Sequence, residues 1–388
     1  MRLMQLGELT ELNPRLPKGS FDADHLVSFV PMAAVSEMSK RIVQTESRPY
    51  GEVSKGYTYF DNGDLIVAKI TPCYENGKMA IVEDLAHSPA FGSTEFHVIR
   101  PGKKLLGRFL FHLLQSPAVK VAGKSRMKGA AGQKRVPTDF FKDLKIPCPP
   151  IPEQKRIAAI LDAADALRAK RRETLTQLDT LLQSTFLEMF GDPVTNPKGW
   201  EVAKLGHVSS FFAGSTLPDG VPFSGQEGGF LCLKVSDLNS PDNSTTVFSS
   251  KLWTENRGKG IAAPANSVVI PKRGGAIGTN KKRILSRAAV LDPNLMAIGA
   301  AESLEPLYLY HWFFTFDLLD ITSGSSVPQL NKRDLTPLPI PVPPADLQAR
   351  FATIVQSVEQ QKSRLRAHLD ELDTLFASLQ ARAFAGEL

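Results

Sequence analysis

The chain has 388 residues, enough for two domains of ordinary size plus connecting helices. Its 46 Lys and Arg against 40 Asp and Glu give a net charge of +6, a balance that only slightly favours an acidic partner. No apolar run approaches a membrane span, and residues 1–20 lack the apolar core of a signal peptide. Cys73, Cys148 and Cys232 are few, odd in number and far apart, which excludes a disulfide framework and a CxxC metal site and points to a reducing cytoplasm.

In chain order, Met1-Arg2-Leu3-Met4 opens on a strand-like pattern. Period-two alternation then predicts strands at Leu26–Val30, Asp64–Lys69 and Lys78–Val82, framed by the turn signals Asp61-Asn62-Gly63-Asp64 and Glu75-Asn76-Gly77-Lys78. Gly107–Gln115 reads as a short helix. From Arg100 to Lys145 twelve basic residues are opposed only by Asp139 and Asp143. After Ile146-Pro147-Cys148-Pro149-Pro150, Pro152-Glu153 is suited to a helix's first turn. Apolar positions follow at Ile157, Leu161 and Ala164, then Leu175, Leu178, Leu182, Thr185 and Met189, with Arg168 and Arg171 interrupting. Steps of four and three mark a coiled-coil seam, and Gly191-Asp192-Pro193 closes the helix.

The second half repeats this plan. Strands are expected at Phe230–Val235, at Ser267–Ile270 and through Ile284, turns at Ser236–Ser250, and a helix at Glu305–Phe316. Positive charge gathers at Lys272-Arg273, Lys281-Lys282-Arg283 and Lys332-Arg333. Ile340-Pro341-Val342-Pro343-Pro344 then opens a second long helix with Phe351, Val355, Val358, Lys362, Leu365, Leu369, Leu372, Phe376, Leu379 and Ala383 on its seam. Gln154 answers Gln348, Val35-Ser36 answers Val235-Ser236, and Asn62–Lys69 answers Asn266–Lys272. So long a period means duplication of a domain, not a solenoid. Each helix would span about 57 Å, and two apolar stripes of matching register can bury each other, antiparallel because a globular block intervenes. Arg168 and Lys362, mid-seam, either snorkel from the seam edge or point inward, where they would need Asp370, Asp373 or Asp179 as partners.

Motifs for catalysis are missing. There is no GxxxxGK[ST] loop and no strand-linked GxGxxG, and Arg273–Thr279 is Gly-rich but has no counterpart in Ile70–Glu75. The seven His show no HxxxH spacing. Asp139 with Glu153-Gln154-Lys155 imitates a nuclease pattern that the second copy lacks, and neither Pro-Pro pair has the flanks of an amino-methyltransferase loop. The chain is expected to be no enzyme and to hold no cofactor or metal of its own.

Over essentially its whole length the chain resembles the specificity subunits of bacterial type I restriction–modification enzymes. The resemblance rests on Gly63-Asp64-Leu65-Ile66-Val67-Ala68-Lys69-Ile70-Thr71-Pro72, on Glu75-Asn76-Gly77-Lys78, and on Ile146–Ile157 with its Pro-Pro opening and Glu153-Gln154. The second copy departs from it with Ala345-Asp346-Leu347-Gln348. The resemblance implies an α+β chain of two tandem target-recognition domains, 1–150 and 194–343. Each is followed by a long helix, 151–193 and 344–388, and the helices form an antiparallel coiled coil with pseudo-two-fold symmetry. It further implies double-stranded DNA as ligand, read as a bipartite asymmetric target about one turn, roughly 34 Å, between half-sites. Two methyltransferase subunits and motor-nuclease subunits would be partners in a bacterial cytoplasm, and S-adenosylmethionine, ATP and Mg would belong to those partners. Two other classes remain, a nuclease or methyltransferase in its own right, against which the missing motifs speak, and a coiled-coil adaptor that does not read DNA. By motif position, the expected DNA contacts in the first domain are Lys69, Thr71, Tyr74, Asn76 and Lys78, with Lys124, Arg126, Lys128, Gln133, Lys134 and Arg135. In the second they are Lys272, Arg273, Asn280, Lys281, Lys282 and Arg283, with Ser325, Gln329, Asn331, Lys332 and Arg333. Packing under its loop is an equal expectation for Tyr74, and Asn76 suits a tight turn.

Overall fold

The computed structural model describes residues 2–17, 19–130, 132–322 and 327–388. Two compact units emerge, Met1–Glu173 with Arg366–Leu388, and Thr174–Leu365. Each unit therefore holds one globular domain, one half of the central helix and one half of the C-terminal helix.

In unit 1 the β-branched stretches expected to be strands are strands. Leu26–Val30, Leu65–Ala68 and Met79–Ile81 bury nearly every side chain, because two four-stranded sheets pack face to face. One sheet has the order Thr10–Leu12, Phe96–Pro101, Leu65–Ala68, Met79–Ile81, all antiparallel. The other runs Glu46–Pro49, Leu26–Val30, Ala90–Gly92, Thr58–Phe60, with one parallel pair between Leu26–Val30 and Ala90–Gly92. Val30, Phe60, Ile66, Ala80, Phe96 and Val98 fill the space between them. The segment before the central helix is more ordered than a Pro-rich hinge. Lys145–Pro147 pairs antiparallel with Leu3–Gln5, which ties the first strand to the start of the helix.

Unit 2 repeats the plan with different strands. A five-stranded sheet runs Ser209–Ala213, Leu295–Ala300, Val268–Pro271, Arg283–Leu285, Thr246–Val247. A four-stranded one runs Val221–Pro222, Leu252–Thr254, Phe230–Leu233, Ala289–Leu291. Glu201–Lys204 pairs with Pro339–Val342 as Leu3–Gln5 does with Lys145–Pro147. The helix expected over 305–316 stops at Trp312 and tightens into a 3-10 turn, Phe313–Thr315.

The long helices are Ile151–Phe190 (40 residues) and Ala345–Ala385 (41 residues). Gly191 (φ +78) and Gly386 (φ +85) end them in the left-handed conformation that glycine adopts without a Cβ penalty. Gln154 and Gln348 fix the starts of the two helices in the same way. Buried Gln154 accepts from the Leu106 amide (2.7 Å) and donates to the Lys104 and Pro149 carbonyls. Buried Gln348 accepts from the Glu305 amide (2.8 Å) and donates to the Ser303 and Pro343 carbonyls.

Within each unit the helix halves run antiparallel. In unit 1 Arg156 reaches the Leu388 carbonyl while Arg168 reaches Asp373. In unit 2 Asp179 meets Lys362 while Phe186 and Phe190 meet Phe351. The mid-seam cations find the acids expected of them. Arg168 bonds Asp373 (2.5 Å) and Asp165 (2.7 Å), and its guanidinium lies over the Phe376 ring. Lys362 bonds Asp179 (2.6 Å) and Glu359 (2.5 Å). The end of the central helix departs from the expected seam. Phe186 and Phe190 are buried instead of Thr185 and Met189, because there the helix packs on Tyr308 and Phe351 in steps of four. Among the described residues no helix is long and apolar enough to cross a membrane.

Candidate nucleic-acid interface

The chemistry of a polyanion-binding face needs exposed cations on a backbone that holds still. In unit 1 two segments distant in sequence meet to provide that. After Leu65–Ala68 the chain enters 69–78, and the basic loop 126–136 is laced to it. The Val136 amide donates to the Lys69 carbonyl (2.9 Å) and the Thr71 amide to the Lys134 carbonyl (2.9 Å). Ile70 and Arg135 form a β-bridge, as do Lys128 and Arg135.

On this support Lys124, Arg126, Lys128, Gln133 and Lys134 are exposed. Lys69 is half-buried. Arg135 is committed to a bidentate bond with Glu95 (2.8 Å), which holds the Glu95 carboxyl below its ordinary range. Lys124 pairs with Glu75 at 3.2 Å, but its side chain is 65% exposed, so the pair is weak and the amine stays available.

Three expected contacts in this unit are placed otherwise. Tyr74 is buried and bonded to the Val119 carbonyl (3.3 Å), and burial pushes its phenol well above the ordinary range, so it packs under the loop. Thr71 turns its hydroxyl to the Met127 sulfur. Lys78 turns to the Met32 carbonyl and Glu37. Asn76 is exposed on the turn and donates to Glu37 (3.1 Å).

Unit 2 makes the same stitch with different residues. The Leu330 amide donates to the Lys272 carbonyl (3.0 Å), Arg273 bridges Gln329, and the Gly274 amide reaches the Pro328 carbonyl (2.9 Å). Lys272 therefore occupies the place that Lys69 has in unit 1. Burial, then the neighbouring Arg273, lowers the Lys272 ammonium pKa. Arg273, Gln329, Lys332 and Arg333 are exposed. At the start of the short helix Lys332–Leu335 the Asn331 backbone amide donates to the Asp334 carboxylate (2.7 Å), and the Asn331 side chain is half-buried.

The Lys281-Lys282-Arg283 cluster divides. Lys282 is fully buried, its Nζ bonded to the Phe316 carbonyl (2.9 Å) beside the Phe314 ring, and burial pulls its pKa down to about 8. The Phe314 and Phe316 rings lie beside it, so its amine is not presented at the surface. Arg283 is half-buried, with Nη1 on the Lys282 carbonyl. Lys281 bonds the Asn239 side chain. Asn280 adopts φ +50 and accepts from the Leu318 amide (3.0 Å), a turn role. Ser325 lies outside the described residues.

Two cations escape a reading of the sequence: Arg287, whose guanidinium is held by the Gln226 and Gly228 carbonyls, and Lys40, which reaches the Asn76 carbonyl (2.9 Å). Nothing in the local sequence distinguishes either from a solvated cation. Only the fold brings them to their partners.

A profile of the family described as "Type I restriction modification DNA specificity domain" matches residues 1–177 and again 197–372. The specificity subunit of the EcoAI type I restriction enzyme of Escherichia coli is 39% identical over 179 residues, 45% of this chain and 30% of that protein. The alignments with this relative and with the similar EcoEI subunit thus span less than a third of those proteins' lengths. A chain solved in work on complex assembly and conformational transition of the type I R-M system aligns over 100% of this chain and 98% of its own, with TM-score 0.58 and 22% identity. The type I restriction-modification S subunit of M. genitalium aligns over 99% and 96%, with TM-score 0.56 and 13% identity. The two structural likenesses establish the shared fold.

Proposed function

Since the chain belongs to the type I restriction modification DNA specificity family, we propose that it is the DNA-recognition subunit of such a complex, reading a bipartite, asymmetric duplex target. One observation carries this reading. Each unit joins its motif strand to a distant basic loop by the same backbone stitch, at Lys69 and at Lys272, and exposes a different set of cations and amides there. A shared support with unlike surfaces is what two unlike half-sites require. Exposed Lys and Arg would supply phosphate contacts and salt dependence. Gln133 and Gln329, with neighbouring Arg side chains, have the donors and acceptors to read base edges.

Methyltransferase subunits would dock on this chain and motor-nuclease subunits would join them. In this reading S-adenosylmethionine, ATP and Mg serve those partners, and this chain contributes recognition alone, in a bacterial cytoplasm. The adaptor alternative does not account for the doubled family match. Co-expression with a type I methyltransferase subunit, followed by mapping of methyladenine, tests the proposal. A two-part motif that disappears when this chain is omitted is the expected outcome, and methylation independent of the chain is the contrary one.

A further inference from the structure

One corner of unit 1 gathers more positive charge than its neighbours neutralise. Leu65–Ala68 and Met79–Ile81 are linked through the Asn76-Gly77 turn. A Cβ at Gly77 would sit 3.3 Å from the Lys40 Nζ and 3.3 Å from the Lys120 Nζ. Two ammonium groups from unrelated segments therefore lie within twice that distance of each other. Lys40 is fixed by its bond to the Asn76 carbonyl (2.9 Å). The local carboxylate, Glu37, is already engaged by Asn76 (3.1 Å) and by Lys78 (3.8 Å).

Among the described residues neither Lys40 nor Lys120 has a carboxylate within ion-pair distance. Burial, and then the charge of Lys120, bring the Lys40 ammonium down to about 8, although Glu37 and Asp165 act the other way. Crowded, partly desolvated ammonium groups are stabilised by an anion placed between them. Unit 2 builds the corresponding corner without this crowding. The match of Lys69 with Lys272 puts Asn280 in the place of Gly77, and the match of Ser36 with Ser236 puts the uncharged Ser240 in the place of Lys40.

We propose that Lys40 and Lys120, at the Asn76-Gly77 corner, form an oxyanion site that takes one backbone phosphate of the duplex bound by unit 1. The assignment rests on the DNA-reading function and deepens it. The exposed loop would grip the duplex at one place and this corner would fix its phosphate register at another. Both ammonium groups would donate to the non-bridging oxygens of a single phosphate, so the site reads no sequence. A free phosphate offers the same chemistry, and the experiment separates the two sources.

The test is a salt titration of the full chain on a mixed-sequence duplex, comparing wild type, Lys120→Gln, and Lys40→Gln with Lys120→Gln. Lys120→Gln removes no hydrogen bond or ion pair among the described residues, so it reports even where the double variant is destabilised. The slope of log affinity against log salt should fall by about one for the double variant, with equal weakening on unrelated sequences, and Lys→Arg at both positions should restore it. An unchanged slope in a chain that still binds duplex would overturn the site and leave the DNA reading intact. Inorganic phosphate that shifts the Lys40 and Lys120 side-chain NMR signals, with the duplex slope unchanged, would assign the corner to a free anion and equally overturn it. Wild type that binds no duplex, alone or with its methyltransferase, would instead overturn the DNA reading on which the site depends.

Discussion

The two units share a frame and differ in what the frame carries, and one histidine makes the difference plain. His112 and His311 hold the same place, each on the short helix whose start is pinned by the buried glutamine of a long helix. In unit 1 the His112 Nε2 meets Asp162 at 2.7 Å. Burial alone would raise that carboxyl, but the His112 bond, with Arg108 and Arg41 nearby, holds it below its ordinary range. In unit 2 the residue in the place of Asp162 is the exposed Gln356, and the His311 Nε2 is buried without a partner among the described residues. Burial, then the positive charge of Lys362, pulls His311 down to about 4 against a smaller opposite effect of Asp179. Duplication thus preserved the features that set helix start and seam register. Side chains that face one domain only have diverged.

The largest effects should fall on the shared frame and be equal in the two units. Replacing Gln154 or Gln348 by Ala strands buried backbone groups at the start of the helix, and each should cost about 4 kcal/mol in urea denaturation. A large cost in one unit and none in the other would break the equivalence.

The next effect should separate the units. The folded pKa of His311 lies below its ordinary 6.5, so its neutral form contributes stability that is complete above pH 6.5 and lost as pH falls towards 4. Across that interval unit 2 should lose about 3 kcal/mol through this group. All three tryptophans, Trp200, Trp253 and Trp312, lie in unit 2, so their fluorescence reports its unfolding. His311→Gln should remove most of this pH dependence, and a variant as acid-sensitive as wild type would refute the assignment.

The mid-seam cations sharpen the comparison further. Lys362 is only 3% exposed at its side chain, whereas Arg168 is 18% exposed and also rests on Phe376. Removing both acids around Lys362 (Asp179→Ala with Glu359→Ala) should cost about 2 kcal/mol, discounted because Asp179 faces solvent. The matching change around Arg168 (Asp165→Ala with Asp373→Ala) should cost about 1 kcal/mol. Thermal unfolding of the two double variants measures the ranking, and the reverse order would count against burial as its cause. The smallest effects are expected at the stitched lysines. Lys69→Ala or Lys272→Ala should each weaken duplex binding by about 1 kcal/mol on every sequence and flatten the salt slope by about one.

Much of the frame was legible in the chain because it is periodic. Apolar steps of four and three placed Ile157, Leu161, Ala164, Phe351, Val355 and Val358 on the seam, and these six are buried. The need of a buried cation for an acid anticipated the pairs of Arg168 and Lys362. The Phe186 and Phe190 face escaped this reasoning because a domain, not a helix, covers that turn. The site was less legible. A run of basic residues does not reveal which will be roofed over, and Lys282 disappeared beneath aromatic residues more than thirty positions later. Lys40, isolated in sequence, acquired its neighbours only through the sheet and turn that carry Asn76 and Gly77.

The central claim is that two unlike readers sit on one duplicated frame. Exchanging the second globular domain, residues 194–343, for that of a relative, and mapping methyladenine in cells that supply the methyltransferase, tests it most directly. The account predicts a two-part motif in which one half and the spacing are kept while the other half changes. A motif altered in both halves, or unaltered in either, would contradict it.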